Sequence, residues 1–325
     1  MIVVTGGAGF IGSALIWALN RRGQSDILVV DRLDDDERWR NLRVLQFADY
    51  LDKDEFIALI RERRLPGRVE TILHMGACSD TAESDAAFLL RNNFEYSKWL
   101  IEYAVDQGVR LVYASSAATY GDGAQGYADD ESQLSELRPL NKYGYSKHLT
   151  DLWAWRRDLL ALVAGVKFSN VFGPNEYHKE DMRSVVHKAF DQIGRSGQVE
   201  LFKSYRSDYP HGGQTRDFIY VKDAVDMTLF LADHPNLNGL YNIGTGQART
   251  WNDLAKAVFA ALGLEPRIEY IEMPDSLRPR YQYHTRLNME KLRQAGYGQT
   301  PHSLEQAVAD YVQNYLKPGK YLGDE

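Results

Sequence analysis

The stretch Ile2-Val3-Val4-Thr5-Gly6-Gly7-Ala8-Gly9-Phe10-Ile11-Gly12 decides the fold. A short β-branched run meets a glycine cluster, and a helical pattern continues from Phe10 to Arg22. The glycines satisfy both Gly-x-Gly-x-x-Gly and Gly-x-x-Gly-x-x-Gly. Such a loop turns tightly, lets a pyrophosphate approach the backbone and aims the following helix's N-terminal amides at that anion. A glycine turn used only for packing is the bland reading. The next strand, Ile27 to Asp31, weighs against it, because it ends in an acid 19 positions beyond Gly12. That is close to the ~20 expected of a dinucleotide site.

Working outward, short apolar runs recur at Val44 to Ala48, Thr71 to His74, Val109 to Ala114 and Val166 to Ser169. Amphipathic stretches separate them at Lys53 to Arg63, Ala86 to Asp106 and Tyr143 to Leu162. This alternation predicts an α/β fold, a Rossmann-type doubly wound parallel sheet covered on both faces. After Phe172 the rhythm changes. Helices are expected near Met182 to Ile193, Lys222 to Leu231, Trp251 to Leu262 and Ser303 to Tyr315, and strands at Asp217 to Val221 and Leu240 to Ile243. Residues 1–172 are read as a dinucleotide-binding domain and 173–325 as mainly a smaller α/β substrate lobe, with about 215–245 returning to the first domain.

The 325 residues carry 38 Lys+Arg against 45 Asp+Glu, a formal charge of −7. An acidic chain without a basic block is a poor partner for nucleic acid or an anionic membrane. One cysteine, Cys78, excludes an intrachain disulfide and a Cys-based zinc site. His178, His187 and His211 show no metal-ligand spacing, so no metal is expected. The longest apolar run, Leu159 to Val166, is far short of the ~20 residues that span a bilayer. With no basic leader, the expected address is the reducing cytoplasm. The run Asp34 to Glu37 reads as a solvated loop.

Tyr143 and Lys147 stand four apart in Tyr-Gly-Tyr-Ser-Lys and share one helical face. A nearby ammonium favours phenolate, so the pair can move a proton from an alcohol. Tyr145 lacks that spacing. Upstream, Ser115-Ser116 follows a strand, where open parallel sheets bind ligands. Asp31 favours NAD, whereas Arg32 and Arg38 favour the 2′-phosphate of NADP, giving a mixed site that leans to NADP. Taken alone, Lys179 is an exposed lysine, Lys53 an unremarkable first-turn residue after Asp52, Cys78 a small buried residue and His74 a satisfied core or rim histidine.

The glycine loop, the Ser-Ser strand end and Tyr-x-x-x-Lys, in this order, resemble the extended short-chain dehydrogenase/reductase family of nucleotide-sugar epimerases and dehydratases. Asn170-Val171-Phe172-Gly173-Pro174 and Arg216 to Asp223 extend the likeness nearly end to end. Dehydratases of this family keep Asp-Glu just after the strand-end hydroxyl, where this chain has Ala117-Ala118. A 4-epimerase and a non-catalytic dinucleotide-binding regulator remain as alternatives, and the regulator has no need of the Tyr/Lys pair.

Met75 to Ser79, Ser116 to Gly121, Tyr177-His178-Lys179 and Pro279-Arg280-Tyr281 resemble more narrowly a branch that epimerises ADP-linked heptoses at C6 for the lipopolysaccharide core. That resemblance implies NADP, an ADP-heptose substrate and a homopentamer. It implies Tyr143 and Lys179 as acid/base pair, Ser116 on the substrate oxygen and Lys147 on the nicotinamide ribose. It places Gly6, Gly9, Phe10, Ile11, Gly12, Asp31, Arg32, Arg38 and Lys53 around the cofactor, with Met75, Gly76, Ala77, Cys78, Ser79, Asn92, Lys147, Val171 and Lys179. Substrate contacts would come from Asn170, Asp181, Lys188, Phe202, Lys203, Ser204, Tyr205, Arg216 and Tyr281. The chain departs from this branch at Glu180 and Asp181, where small residues are usual, and at Lys188, where a histidine is common.

Overall fold

The computed structural model describes residues 1–275, 277–278 and 281–324; Pro279 and Arg280, quoted above, lie outside them. The strands in chain order are β1 (Ile2–Thr5), β2 (Ile27–Asp31), β3 (Asp49–Asp52), β4 (Thr71–His74), β5 (Arg110–Ser116) and β6 (Ala164–Phe168). They continue as β7 (Asn170–Phe172), β8 (Val199–Phe202), β9 (Thr215–Tyr220), β10 (Gly239–Ile243), β11 (Ala248–Thr250) and β12 (Ile268–Ile271). The helices used below are α1 (Phe10–Arg21), α2 (Lys53–Glu62), α3 (Ala86–Leu89), α4 (Tyr96–Gln107), α5 (Lys142–Trp155), α6 (Val185–Ser196) and α7 (Val221–Asp233).

Seven strands form one parallel sheet in the order β10-β6-β5-β4-β1-β2-β3. This is the expected Rossmann-type doubly wound sheet. Helices α1 and α7 pack together, while α2, α4 and α5 form a second layer. The strands are apolar for that reason: β2, β6 and β10 are buried along their whole length. The order reverses between β1 and β4, so a crevice opens beyond Thr5, Asp31, His74 and Ser116 at the carboxyl ends of the strands. Two smaller sheets, β11-β9-β7 and β12-β8, belong to the later part of the chain.

Three expected elements shift. No strand forms at Val44 to Ala48; β3 starts at Asp49, and Val44 is exposed. As the edge strand, β3 carries Asp49 and Asp52 where a central strand would need apolar residues. The helix from Tyr143 stops at Trp155, because Asp158 adopts a left-handed φ of 58° and a separate short turn follows. The helix expected from Met182 starts at Val185, capped by the Ser184 hydroxyl, which accepts from the His187 amide.

Candidate active site

Gly6 has a φ of 66°, which favours glycine, and a Cβ there would lie 2.6 Å from the Gly76 nitrogen. A Cβ on Gly12 would collide with the Gly6 carbonyl oxygen. The loop is therefore pressed between α1 and the 75–79 segment. Its packing leaves no room for a larger residue at either place. Asp31 closes the other side, its carboxylate accepting from the Ala8 and Arg32 amides at 2.8 Å each. Burial raises the Asp31 carboxyl, while these amides and Arg38 pull it back. A cradle too tight for side chains, ending in a buried carboxylate, fits a dinucleotide.

Arg32 and Arg38 reach the same end of the cleft, but each is already paired. Arg32 meets Asp34 at 2.6 Å; Arg38 meets Asp36 at 2.6 Å and Asp31 at 3.4 Å. The acidic run expected to be merely solvated is exposed except at half-buried Asp36, and Asp34 and Asp36 also line the cleft.

A wide helical turn at Leu90–Glu95 joins α3 to α4 and breaks the uniform helix expected there. Such turns recur at functional sites. Here it sends two neighbouring asparagines to different tasks. Asn92 accepts from the Lys53 ammonium at 3.0 Å, and Asn93 exchanges bonds with the Cys78 backbone at 2.9 and 3.0 Å. Asn93 was not singled out in the sequence, although it holds the 75–79 segment in place. His74 is a satisfied core histidine, bonded to Thr5 Oγ1 at 2.6 Å and Ser97 at 2.9 Å, with burial pushing it down to about 3.

Asn141 caps helix α5, its side chain accepting from the Gly144 amide. A Cβ on Gly144 would lie 2.8 Å from the Ala118 oxygen, so this glycine lets α5 approach the end of β5. That approach brings the Tyr143 phenol to the Ser116 hydroxyl. Lys147, one turn on, is buried and donates to the Ala114 carbonyl at 2.8 Å. Tyr145 points to solvent. Burial pushes Lys147 down to about 8, opposed by Asp151 and Cys78. The Tyr143 phenol is raised rather than lowered: desolvation outweighs the pull of Ser116 toward phenolate.

A buried polar network lies one further turn along α5. Asp151 pairs with Lys167 at 2.6 Å and accepts from Ser115 at 2.7 Å and Tyr113 at 3.0 Å. Tyr143, Lys147 and Asp151 thus stand at i, i+4 and i+8. That spacing was visible in the sequence, but only burial reveals its third member.

Lys179 hangs from the turn at Tyr177–Met182, its ammonium 5.3 Å from the centre of the Phe10 ring. Burial lowers it, against the pull of Glu176. Arg216 is buried, stacked between Trp251 and Tyr281 at 5.5 and 5.2 Å. It is a buried cation facing the cleft, suited to an anionic ligand.

One cleft of about 990 Å³ gathers most of these residues, including Ser116, Tyr143, Lys147, Asn170, Val171, Lys179, Arg216 and Tyr281. Gly6, Gly9, Phe10, Ile11, Gly12, Asp31, Arg32, Arg38, Lys53, Asn92 and Met75 to Ser79 also line it. The structure does not bring Asp181, Lys188, Phe202, Lys203, Ser204 or Tyr205 to its wall. The Lys188 ammonium instead donates to the Asp181 carbonyl at 2.6 Å. Lys203 pairs with Glu272 at 2.6 Å, and Tyr205 bonds Glu272 under the Arg278 guanidinium. Met182, Arg183, Leu277, Gln282 and Thr285 line the wall, unnoticed in the sequence.

Comparison with known proteins narrows the chemistry. The profile of the NAD dependent epimerase/dehydratase family matches residues 2–244. The chain belongs to this family. Within the epimerase/dehydratase family, an ADP-L-glycero-D-manno-heptose-6-epimerase of Nitratidesulfovibrio vulgaris (strain DP4) is 53 % identical over 316 residues, 97 % of this chain and 98 % of that one. Among solved structures, the Helicobacter pylori ADP-L-glycero-D-manno-heptose-6-epimerase superposes with a TM-score of 0.79 at 26 % identity, covering 96 % of this chain and 95 % of that one. The Thermus thermophilus UDP-glucose 4-epimerase, solved in complex with NAD, gives 0.74 at 25 % identity over 96 % and 97 %. Among the described residues no group of three His, Cys, Asp or Glu is placed to hold a metal, and no helix is long and apolar enough to cross a membrane.

Proposed function

We propose that the protein interconverts ADP-D-glycero-β-D-manno-heptose and ADP-L-glycero-β-D-manno-heptose at C6, for the lipopolysaccharide core. The observation that carries the reading is one cleft holding a dinucleotide cradle, a Tyr/Lys/Ser constellation and a second lysine on a separate turn. Near full-length identity to heptose 6-epimerases supplies the substrate.

A nicotinamide dinucleotide bound in the cradle supplies reversible hydride removal from the sugar carbon. The protein's own groups handle the proton. Ser116 orients the reacting oxygen, and Lys147 holds the nicotinamide ribose. Burial pushes the two proton-transfer groups in opposite senses, the Tyr143 phenol up and the Lys179 ammonium down. Groups driven apart in this way divide into acid and base. In this proposal Tyr143 serves as the acid and Lys179 as the base. In the reverse direction they exchange roles. Two groups on different elements suit an inversion, because the hydroxyls of the two epimers point to opposite sides. Arg216 would meet the nucleotide's phosphates beside Asn170 and Tyr281.

The deciding experiment is NMR of ADP-D-glycero-D-manno-heptose incubated with the protein and no added cofactor. Appearance of the L-glycero epimer is expected. No conversion with or without added dinucleotide, or turnover of UDP-glucose instead, would overturn the reading.

The same proposal takes NADP as cofactor, held by Arg32 and Arg38 against the repulsion of Asp31, Asp34 and Asp36. NADP is then expected to bind tighter than NAD in calorimetry. Replacing both arginines with Ala erases that preference; an unchanged ratio would refute it. A homopentamer rests on the resemblance to the heptose-epimerase branch. A cytoplasmic address suits the free thiol of Cys78. Residues 1–172, with 215–245, form the cofactor domain in this proposal, and the remainder the substrate lobe.

Lys147, pushed down to about 8, gives the reaction an alkaline limit. Its ammonium is present below that pH and lost as pH rises through it. kcat/KM of the free enzyme is therefore expected to fall above roughly pH 8. A profile flat to pH 10 would contradict this.

A further inference from the structure

We propose that Glu176 is a positioning residue for Lys179: its buried carboxylate clips the two ends of the turn that carries the lysine and sets the field in which that lysine titrates. The proposal rests on the acid/base reading of Lys179.

The turn runs from Glu176 to Ser184. At its start the Glu176 carbonyl accepts from the Lys179 amide at 3.0 Å. At its end the Glu176 carboxylate accepts from both the amide and the hydroxyl of Ser184, each at 2.6 Å. Ser184 in turn caps α6. One fully buried side chain thus joins the segment leaving β7 to the first turn of α6, with Lys179 at the apex between them. The clip holds against backbone strain, since Glu180 beside the lysine sits at φ 44° and ψ −119°, rarely adopted by a residue with a Cβ. Arg183 secures the kink by donating from Nε to the Glu180 carbonyl at 2.9 Å.

The proposal takes Glu176 as a carboxylate: burial raises its carboxyl, and the amide and hydroxyl donated by Ser184 pull it back toward the charged form. The Lys179 ammonium lies over the Phe10 ring, 5.3 Å from its centre. The Glu176 carboxylate acts on the ammonium through space, raising its proton affinity against the desolvation that lowers it. The other titratable groups facing this pair are Tyr177 and Tyr311 beside the carboxylate, His187 packed against both tyrosines, and His178 next to the lysine. His178 also feels Arg38 and Asp36. Burial pushes His178 and His187 down to about 4, so both are neutral near pH 7. The turn also carries Glu180, Asp181 and Arg183, and of its charges Glu176 is the one whose pull on Lys179 opposes the desolvation.

The test uses the full-length enzyme with Glu176→Gln, Glu176→Asp and Ser184→Ala. It reads kcat/KM against pH and, separately, the titration of Lys179 by NMR of ¹³C-dimethylated lysines, assigned by the signal lost in Lys179→Met. Glu176→Gln removes the charge, so the Lys179 titration and the matching limb of the profile both move to lower pH in either reaction direction. Glu176→Asp and Ser184→Ala keep the charge and loosen the clip. Their kcat falls, by up to ~10²-fold for a misplaced group, with the limb held in place. A Glu176→Gln enzyme with an unmoved Lys179 titration overturns the proposal. So does full kcat in both clip variants, which decide the matter if Glu176→Gln does not fold by circular dichroism. If Lys179 titrates as described but Lys179→Met epimerises normally, the acid/base reading fails and the electrostatic link stands.

Discussion

Tyr143→Phe is expected to fold normally and to lose ~10²–10⁴-fold in kcat, the range for removing a proton-transfer group. The ring stays packed on the first turn of α5, and the change deletes only the oxygen that meets Ser116. Asn141 and Gly144 still set the start of the helix, so the melting temperature holds. Steady-state turnover together with a thermal melt checks both halves of the expectation. A folded variant working near the wild-type rate would remove Tyr143 from the chemistry.

Lys179→Met is expected to abolish epimerisation while leaving dinucleotide binding nearly intact. Methionine keeps an unbranched stem over Phe10 and loses only the ammonium. The cradle between β1 and α1 does not depend on it. With a 6-aldehyde substrate analogue, the Tyr143 and Lys179 variants should lose different half-reactions, since each group serves one face. A Lys179→Met enzyme that epimerises near the normal rate would mean that Tyr143 serves both faces, or that the second group lies elsewhere.

The parallel sheet was legible because both its faces are covered, which makes its central strands uninterrupted apolar runs. The edge strand β3 was misplaced for the converse reason, since an exposed edge tolerates Asp49 and Asp52 and loses the apolar signature. At the cleft, Gly6, Gly12, Asp31, Tyr143 and Lys147 were readable from spacing, because each belongs to a local turn or a single helix face. Asn93, Asp151 and Glu176 were not, because their partners lie 15 or more positions away or their burial alone gives them meaning. The lowered phenol expected at Tyr143 assumed that the ammonium would dominate. In the folded chain desolvation is the larger effect. Lys203 and Tyr205 face Glu272, and Tyr205 also Arg278, a surface arrangement that no periodicity in their own stretch announces.

The outermost strand on one side of the main sheet, β10, comes from residues 239–243 and pairs with β6 along its full length. During synthesis, therefore, β6 waits for more than 70 further residues before its free side is covered. Until then it offers an apolar row of unpaired amides and carbonyls, the kind of edge on which chains aggregate. Closing that long loop is the slow, non-local event in assembling the sheet. A chain cut after Phe172 would keep every glycine of the cradle and still be expected to precipitate.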